Sequence, residues 1–147
     1  MILCVLDNST TAMTGHQSHP GLDNNLMGQI VDKINIAQVL EGIGVKMIIT
    51  VDPLDLDASV KAVCECADMP GVKAVIFKSP CIAISKPTAK CRISDKCIQC
   101  KKCIREIGCP ALIVADGKVT IDNNLCTGCK LCAQICPVNA IGGGADE

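Results

Sequence analysis

Residues 126–137 read CTGCKLCAQICP: three cysteines stand two residues apart, and a fourth, Cys136, follows after three more with Pro137 behind it. About thirty residues upstream, 97–110 read CIQCKKCIREIGCP. This is the same run with one departure, because five residues and not three separate Cys103 from Cys109. The two copies form an internal repeat. Between them ALIVADGKVTID, residues 111–122, places two short β-like runs around Asp116-Gly117, a pair that favours a two-residue hairpin turn. The second half of the chain therefore reads as a small α+β domain.

The spacing carries chemistry. In a tight loop, three thiolates two residues apart converge on three irons of one cube, and the fourth iron is reached by the cysteine before proline of the other copy. One 4Fe-4S cluster is accordingly assigned to Cys97, Cys100, Cys103 and Cys136, and a second to Cys126, Cys129, Cys132 and Cys109. Cys109 is the ligand with unusual spacing, and the helix or loop after Cys103 must absorb its two extra residues. Structural zinc is the competing reading of C-x2-C pairs, but two triplets each trailed by Cys-Pro match iron–sulfur spacing. Lys96, Lys101, Lys102, Arg105 and Lys130 stand beside the ligands, where they would offset thiolate charge or merely face solvent.

Composition narrows the class. The 147 residues hold 13 cysteines, of which eight fall between Cys97 and Cys136, and only one aromatic residue, Phe77. With no recognisable secretion signal and no long apolar run, the chain is expected to be cytoplasmic, with reduced thiols and no membrane partner. Fourteen basic and fifteen acidic residues leave a net charge of −1, which gives no reason to propose a nucleic-acid partner. Of the other cysteines, Cys4 and Cys64 read as small core residues and Cys66 as facing solvent or a partner. Cys81 and Cys91 flank a linker-like stretch, ISKPTAK at 84–90, and are left out of the site.

Upstream of that linker, apolar runs alternate with helix-like segments, the pattern of βα units around a parallel sheet. Strands are predicted at 2–6, 45–51 and 72–78. Helices are predicted at 34–42, with Ile36, Val39 and Leu40 on one face, and at 57–69, with Val60, Val63, Cys64 and Ala67 on one face. Each strand ends in a polar loop, at Asp7-Asn8, Asp52-Pro53 and Ser79-Pro80-Cys81. In open α/β sheets such loops share the ligand-binding edge. The expected organisation is an α/β domain over residues 1–85 and a ferredoxin-like domain over 86–147.

The loop LDNSTTAMTGHQSHPG at 6–21, the βα units, Pro80-Cys81, GCPAL at 108–112 and LCTGCKLCAQICPVNAI at 125–141 together resemble the carboxyl-terminal part of indolepyruvate:ferredoxin oxidoreductase alpha subunits. These belong to the 2-oxoacid:ferredoxin oxidoreductase family. The resemblance implies that residues 1–85 are part of a parallel-sheet domain that binds thiamine diphosphate with Mg²⁺. It implies that Asn8 would bind Mg²⁺ through its side-chain oxygen and Thr10 through its carbonyl, while residues 11–17 border the thiazolium and substrate. Its reaction would be oxidative decarboxylation of an aryl 2-oxoacid to an acyl-CoA, with electrons leaving through the two 4Fe-4S clusters to an external ferredoxin. The partners it implies are the remainder of the alpha subunit or an upstream-encoded half, and a beta subunit.

One departure from the family is plain: the Gly-Asp-Gly half of the thiamine motif is absent from these residues. The chain is therefore expected to be a partial subunit, without full activity alone. His16 and His19, the only histidines, either contact a substrate carboxylate or simply face water. A stand-alone dicluster electron-transfer subunit with an α/β docking element is the alternative, and a zinc-stabilised interaction domain a third reading.

Overall fold

A computed structural model describes residues 1–15, 17–85 and 88–143, and the chain divides into two compact units, Met1–Ser85 and Lys86–Glu147. In the first unit three strands, β1 (Ile2–Asp7), β2 (Met47–Val51) and β3 (Lys73–Lys78), form a parallel sheet in the order β1-β3-β2. Asp7 lies opposite Lys78, and Val51 opposite Phe77. All three strands thus end at one edge, as the sequence predicts. Main-chain bonding continues past the strands there: Ser79 N–H donates to the Asp7 carbonyl (3.1 Å) and Cys81 N–H to the Asn8 carbonyl (2.9 Å).

Side-chain caps decide where the helices begin. Helix α1 (Ile36–Gly42) starts behind Asn35, whose side chain accepts from the Ala37 amide at 2.9 Å. Helix α2 (Leu56–Asp68) starts behind Asp55, which accepts from the Ala58 amide at 3.0 Å. Each cap satisfies one of the amides that a helix start leaves unpaired. The central strand β3 then builds two cores by alternation. Ala74 and Ile76 meet Leu40 and Val45 on one face, while Val75 meets Ala62 and Cys66 on the other.

Two helix faces differ from expectation. Val39 is half exposed, so α1 buries Leu40 with Ile36 and Ala37 against the sheet. Helix α2 buries Ala62 and Cys66, leaving Val60, Val63, Cys64 and Ala67 exposed. Residues four apart share a helical face, and the small pair at 62 and 66 lets the backbone approach Val75 closely. Cys66 is thus the core cysteine, while Cys64 faces outward. Cys4 is also exposed, because α2 packs over β2 and β3, leaving the Cys4 and Leu6 side of β1 uncovered.

The second unit interleaves the two sequence copies. It comprises β4 (Cys91–Ile93), α3 (Lys102–Ile107), β5 (Leu112–Ala115), β6 (Lys118–Ile121), α4 (Leu131–Gln134) and β7 (Ile141–Gly143). Strand β4, at the start of the first copy, pairs antiparallel with β7 at the end of the second, and β5 pairs with β6. The β5–β6 turn has positive φ at both Asp116 (49°) and Gly117 (75°), the two-residue geometry that matches strand twist. Its core holds Cys91, Cys103, Leu112, Val119, Cys132 and Ile141. Among the described residues no helix is long and apolar enough to cross a membrane.

Ile76, 4 % exposed, and Val60, 55 % exposed, test this packing. Ile76→Ala should cost the first unit about 2–5 kcal/mol in urea denaturation, whereas Val60→Ala should stay within about 0.5 kcal/mol.

Candidate metal centres and the sheet-edge loop

Both cysteine loops bend left-handed twice, at matching places. In the first copy these are Gln99 (φ 56°) and Lys101 (φ 59°), and in the second Gly128 (φ 75°) and Lys130 (φ 61°). Alternating left- and right-handed residues aim successive N–H groups into one concavity, the backbone nest that binds phosphates and iron–sulfur clusters. Lys101 and Lys130 are also the residues from which α3 and α4 start. Cys103 and Cys132, each the second residue of its helix, are thereby buried.

The left-handed positions are held individually. The Gln99 side-chain oxygen accepts from the Val119 amide at 2.6 Å. A Cβ on Gly128 would collide with Thr88 Oγ1 and stand 2.6 Å from the Ala89 carbonyl oxygen, and the Thr88 hydroxyl donates to the Thr127 carbonyl at 2.8 Å. Gly128 therefore answers to both its φ and a close approach of backbone.

The fold brings the predicted ligands together across the copies. Cys97, Cys100, Cys103 and Cys136 line one small cavity, closed by aliphatic residues that include Ile93, Val119 and Ile141. The Ala140 amide donates to Cys136 Sγ at 3.2 Å. Around the second loop, Cys132 has Cys129 and Cys109 near it, and Cys109 and Cys126 pack on the same core. The unusual Cys103–Cys109 spacing has a simple local explanation: α3 has six residues where α4 has four. Gly108 (φ 61°) then ends α3, its N–H bonding the Ile104 carbonyl, and turns the chain so that Cys109 comes back toward Cys132.

An all-cysteine donor set with amides aimed at sulfur suits iron–sulfur clusters. Among the described residues no three His, Cys, Asp or Glu side chains converge on a single ion, and four-iron cubes ask for ligands set apart, one per iron. Burial pushes the Cys132 thiol up to about 12, with neighbouring cysteines adding to it, and raises Cys103. A cation that takes these sulfurs as thiolates must displace their protons, so its binding energy is also folding energy.

One cysteine belongs here that spacing does not reveal. Cys91 is 1 % exposed and lies within side-chain hydrogen-bonding reach of both Cys126 and Cys132. Nothing in the C-x2-C pattern marks it. Its place comes from the three-residue pairing of β4 with β7, in which it faces Gly143.

At the other site, Asn8 opens the loop after β1 and is exposed. Its side-chain oxygen accepts from the Thr10 amide at 3.2 Å, bending the loop with Ser9 at φ 58°. An amide oxygen has a second lone pair, so this turn leaves Asn8 able to face a cation. Asn8 and Thr10 supply two hard oxygens where Mg²⁺ takes six ligands, which fits part of a magnesium site. The Thr11 hydroxyl donates to the Gln17 carbonyl (2.8 Å). His19 Nδ1 accepts from the Gly21 amide (3.1 Å), so a neutral His19 carries its proton on Nε2. His16 lies outside the described residues. A cavity of about 560 Å³ at this edge is lined by residues including Asp7, His19, Asn35, Thr50 and Lys78, with Asp7 and Lys78 paired at 3.7 Å.

A parallel sheet with a polar loop at its carboxyl edge, followed by paired cysteine nests, defines a cofactor-binding domain joined to an electron-transfer domain. Residues 1–76, just over half of the chain, match the thiamine pyrophosphate enzyme C-terminal TPP binding domain, and residues 94–115 and 119–142 each match a 4Fe-4S binding domain. The chain belongs to the thiamine pyrophosphate enzyme family, and it carries two 4Fe-4S binding domains. It is similar to indolepyruvate oxidoreductase subunit IorA of Methanothermobacter thermautotrophicus, at 40% identity over 95% of this chain and 23% of that protein. Identity to the IorA of Archaeoglobus fulgidus is 38% over 95% of this chain and 24% of that one. Over 47 residues it is 47% identical to pyruvate synthase subunit PorD of Methanothermobacter marburgensis, covering 32% of this chain and 54% of PorD. The chain thus spans about a quarter of the length of the IorA proteins it matches.

Gly128 and Gly117 share a φ of 75°, but a Cβ on Gly117 meets open space. Each Gly→Ala change should incur about 1–2 kcal/mol of left-handed strain. Gly128→Ala, which adds the collision with Thr88 and Ala89, should lower the melting temperature of the iron chromophore further than Gly117→Ala does.

Proposed function

We propose that this chain is the carboxyl-terminal, electron-exit part of a thiamine-diphosphate-dependent aryl-2-oxoacid:ferredoxin oxidoreductase acting on indolepyruvate. The observation that carries this reading is the joining, in one chain, of a TPP binding domain to two 4Fe-4S domains, matched over 95% of its length by proteins named for indolepyruvate oxidation. The complete enzyme then includes the Gly-Asp-Gly half of the thiamine site, a beta subunit, CoA and an external ferredoxin. A reducing cytoplasm suits thirteen cysteines without a disulfide.

Within that reading, Cys97, Cys100, Cys103 and Cys136 hold one cluster, and Cys126, Cys129, Cys132 and Cys109 the other. The Asn8 side-chain oxygen and the Thr10 carbonyl hold magnesium at the diphosphate, and residues 11–17 border the substrate. When bound, thiamine diphosphate supplies the electron sink for decarboxylation, and the clusters accept the released electrons. The residues of this chain contribute holding and shielding. The Ala140 amide steadies Cys136 sulfur, the aliphatic walls around Cys103 exclude water, and Lys101 and Lys130 bring positive charge next to two clusters of net negative charge.

The isolated chain, purified without oxygen, should carry about eight irons and bind Mg²⁺-thiamine diphosphate weakly or not at all by calorimetry. Supplying a Gly-Asp-Gly half and a beta subunit should restore CoA-dependent reduction of ferredoxin by indolepyruvate. Asn8→Ala should abolish that turnover at unchanged iron content. A chain with full iron that passes electrons to ferredoxin yet never supports 2-oxoacid turnover would instead be a stand-alone electron carrier. Colourless protein loaded with zinc would remove both readings.

A further inference from the structure

The two cysteine sites are not chemically alike. Around Cys97, Cys100, Cys103 and Cys136 the remaining cavity wall is largely aliphatic, with Ile93, Val119 and Ile141. Beside Cys126 and Cys132 stands a fifth thiol, Cys91. It is 1 % exposed and sits in the shared core with Leu112, Val119 and Ile141. Its backbone is fixed by the antiparallel pairing of β4 with β7, and its sulfur also receives the backbone N–H of Lys130 from the nest. With Cys126, Cys129, Cys132 and Cys109 each taking one iron, no iron is left for a fifth ligand. A thiol keeps one S–H donor, and both of its sulfur neighbours become thiolates when the cluster binds.

We propose that Cys91 is a non-ligating, hydrogen-bond-donating residue of the Cys126/Cys129/Cys132/Cys109 cluster that raises that cluster's potential. This rests on the ligand assignment made above. Donors to sulfur stabilise the more negative, reduced state, and hydrogen bonding to sulfur is one of the levers that set cluster potentials. Cys91 thereby tunes one cluster of the chain and leaves the other untouched.

The experiment is an EPR-monitored redox titration of the anaerobically purified full chain, alongside iron content and visible spectrum. Cys91→Ala should keep about eight irons while the midpoint of one cluster moves down and the other stays in place. Cys91→Ser, which keeps a donor, should recover much of the shift. If the alanine variant fails to fold, Cys91→Val against Cys91→Ser makes the same comparison, with the lower midpoint expected for valine. Identical midpoints in the valine, serine and wild-type chains would overturn the proposal. So would loss of half the iron in Cys91→Ala alongside full iron in Cys109→Ala, because Cys91 would then be the fourth ligand. Failure of the wild-type chain to hold iron–sulfur clusters would overturn the ligand assignment itself, a result separable from either.

Discussion

A short loop can turn only so many sulfurs toward one point. Cysteines two residues apart in a single turn present three thiolates to one side of a compact cluster, so a fourth has to arrive from another part of the chain. In the second unit this constraint governs everything else. Copies that each lack one ligand must interdigitate, so β4 pairs with β7 and β5 with β6, and not each copy with itself. The unit then has a core made of thiols and a few aliphatic side chains, and needs no aromatic residue to fill it. Left-handed backbone at Gln99, Lys101 and Lys130 gives both cysteine loops the concave shape of a nest.

The first unit obeys a different constraint. Parallel strands share one carboxyl edge, and a loop that is polar after β1 is tied by main-chain bonds to the loop after β3. That tie positions Asn8 against Cys81 through the main chain. The sheet is covered unevenly. Helix α2 sits over β2 and β3 through two small residues, while Leu6 at 80 % and Val60 at 55 % exposure remain bare. Apolar surface of this kind commonly marks an interface, in keeping with a domain that works beside further protein.

Periodicity and spacing made much of this legible: three strands, two helices, the Asp116-Gly117 turn and two sets of cysteines crossing between copies. Local signals sufficed for these because the physics is local. A β-branched run favours a strand, an Asp-Gly pair favours a turn, and C-x2-C-x2-C must wind around something small. The readings of Val39, Val60, Cys4, Cys64 and Cys66 failed for one shared reason. Each asked which face of an amphipathic segment meets the sheet, and several of these segments are apolar on more than one face. Only the placement of α1 and α2 on opposite faces of the sheet resolves that question.

Cys91 marks the boundary between the two kinds of information. By itself, the sequence determined that eight cysteines fall into two spaced repeats, that Asn8 follows a strand, and that a βα half precedes a doubled cysteine domain. Spacing along the chain carries those facts directly. The tertiary structure alone decided that a ninth cysteine joins one of the groups. A three-residue strand is too short to announce itself, and proximity between residues 91 and 132 exists only once β7 has folded back beside β4.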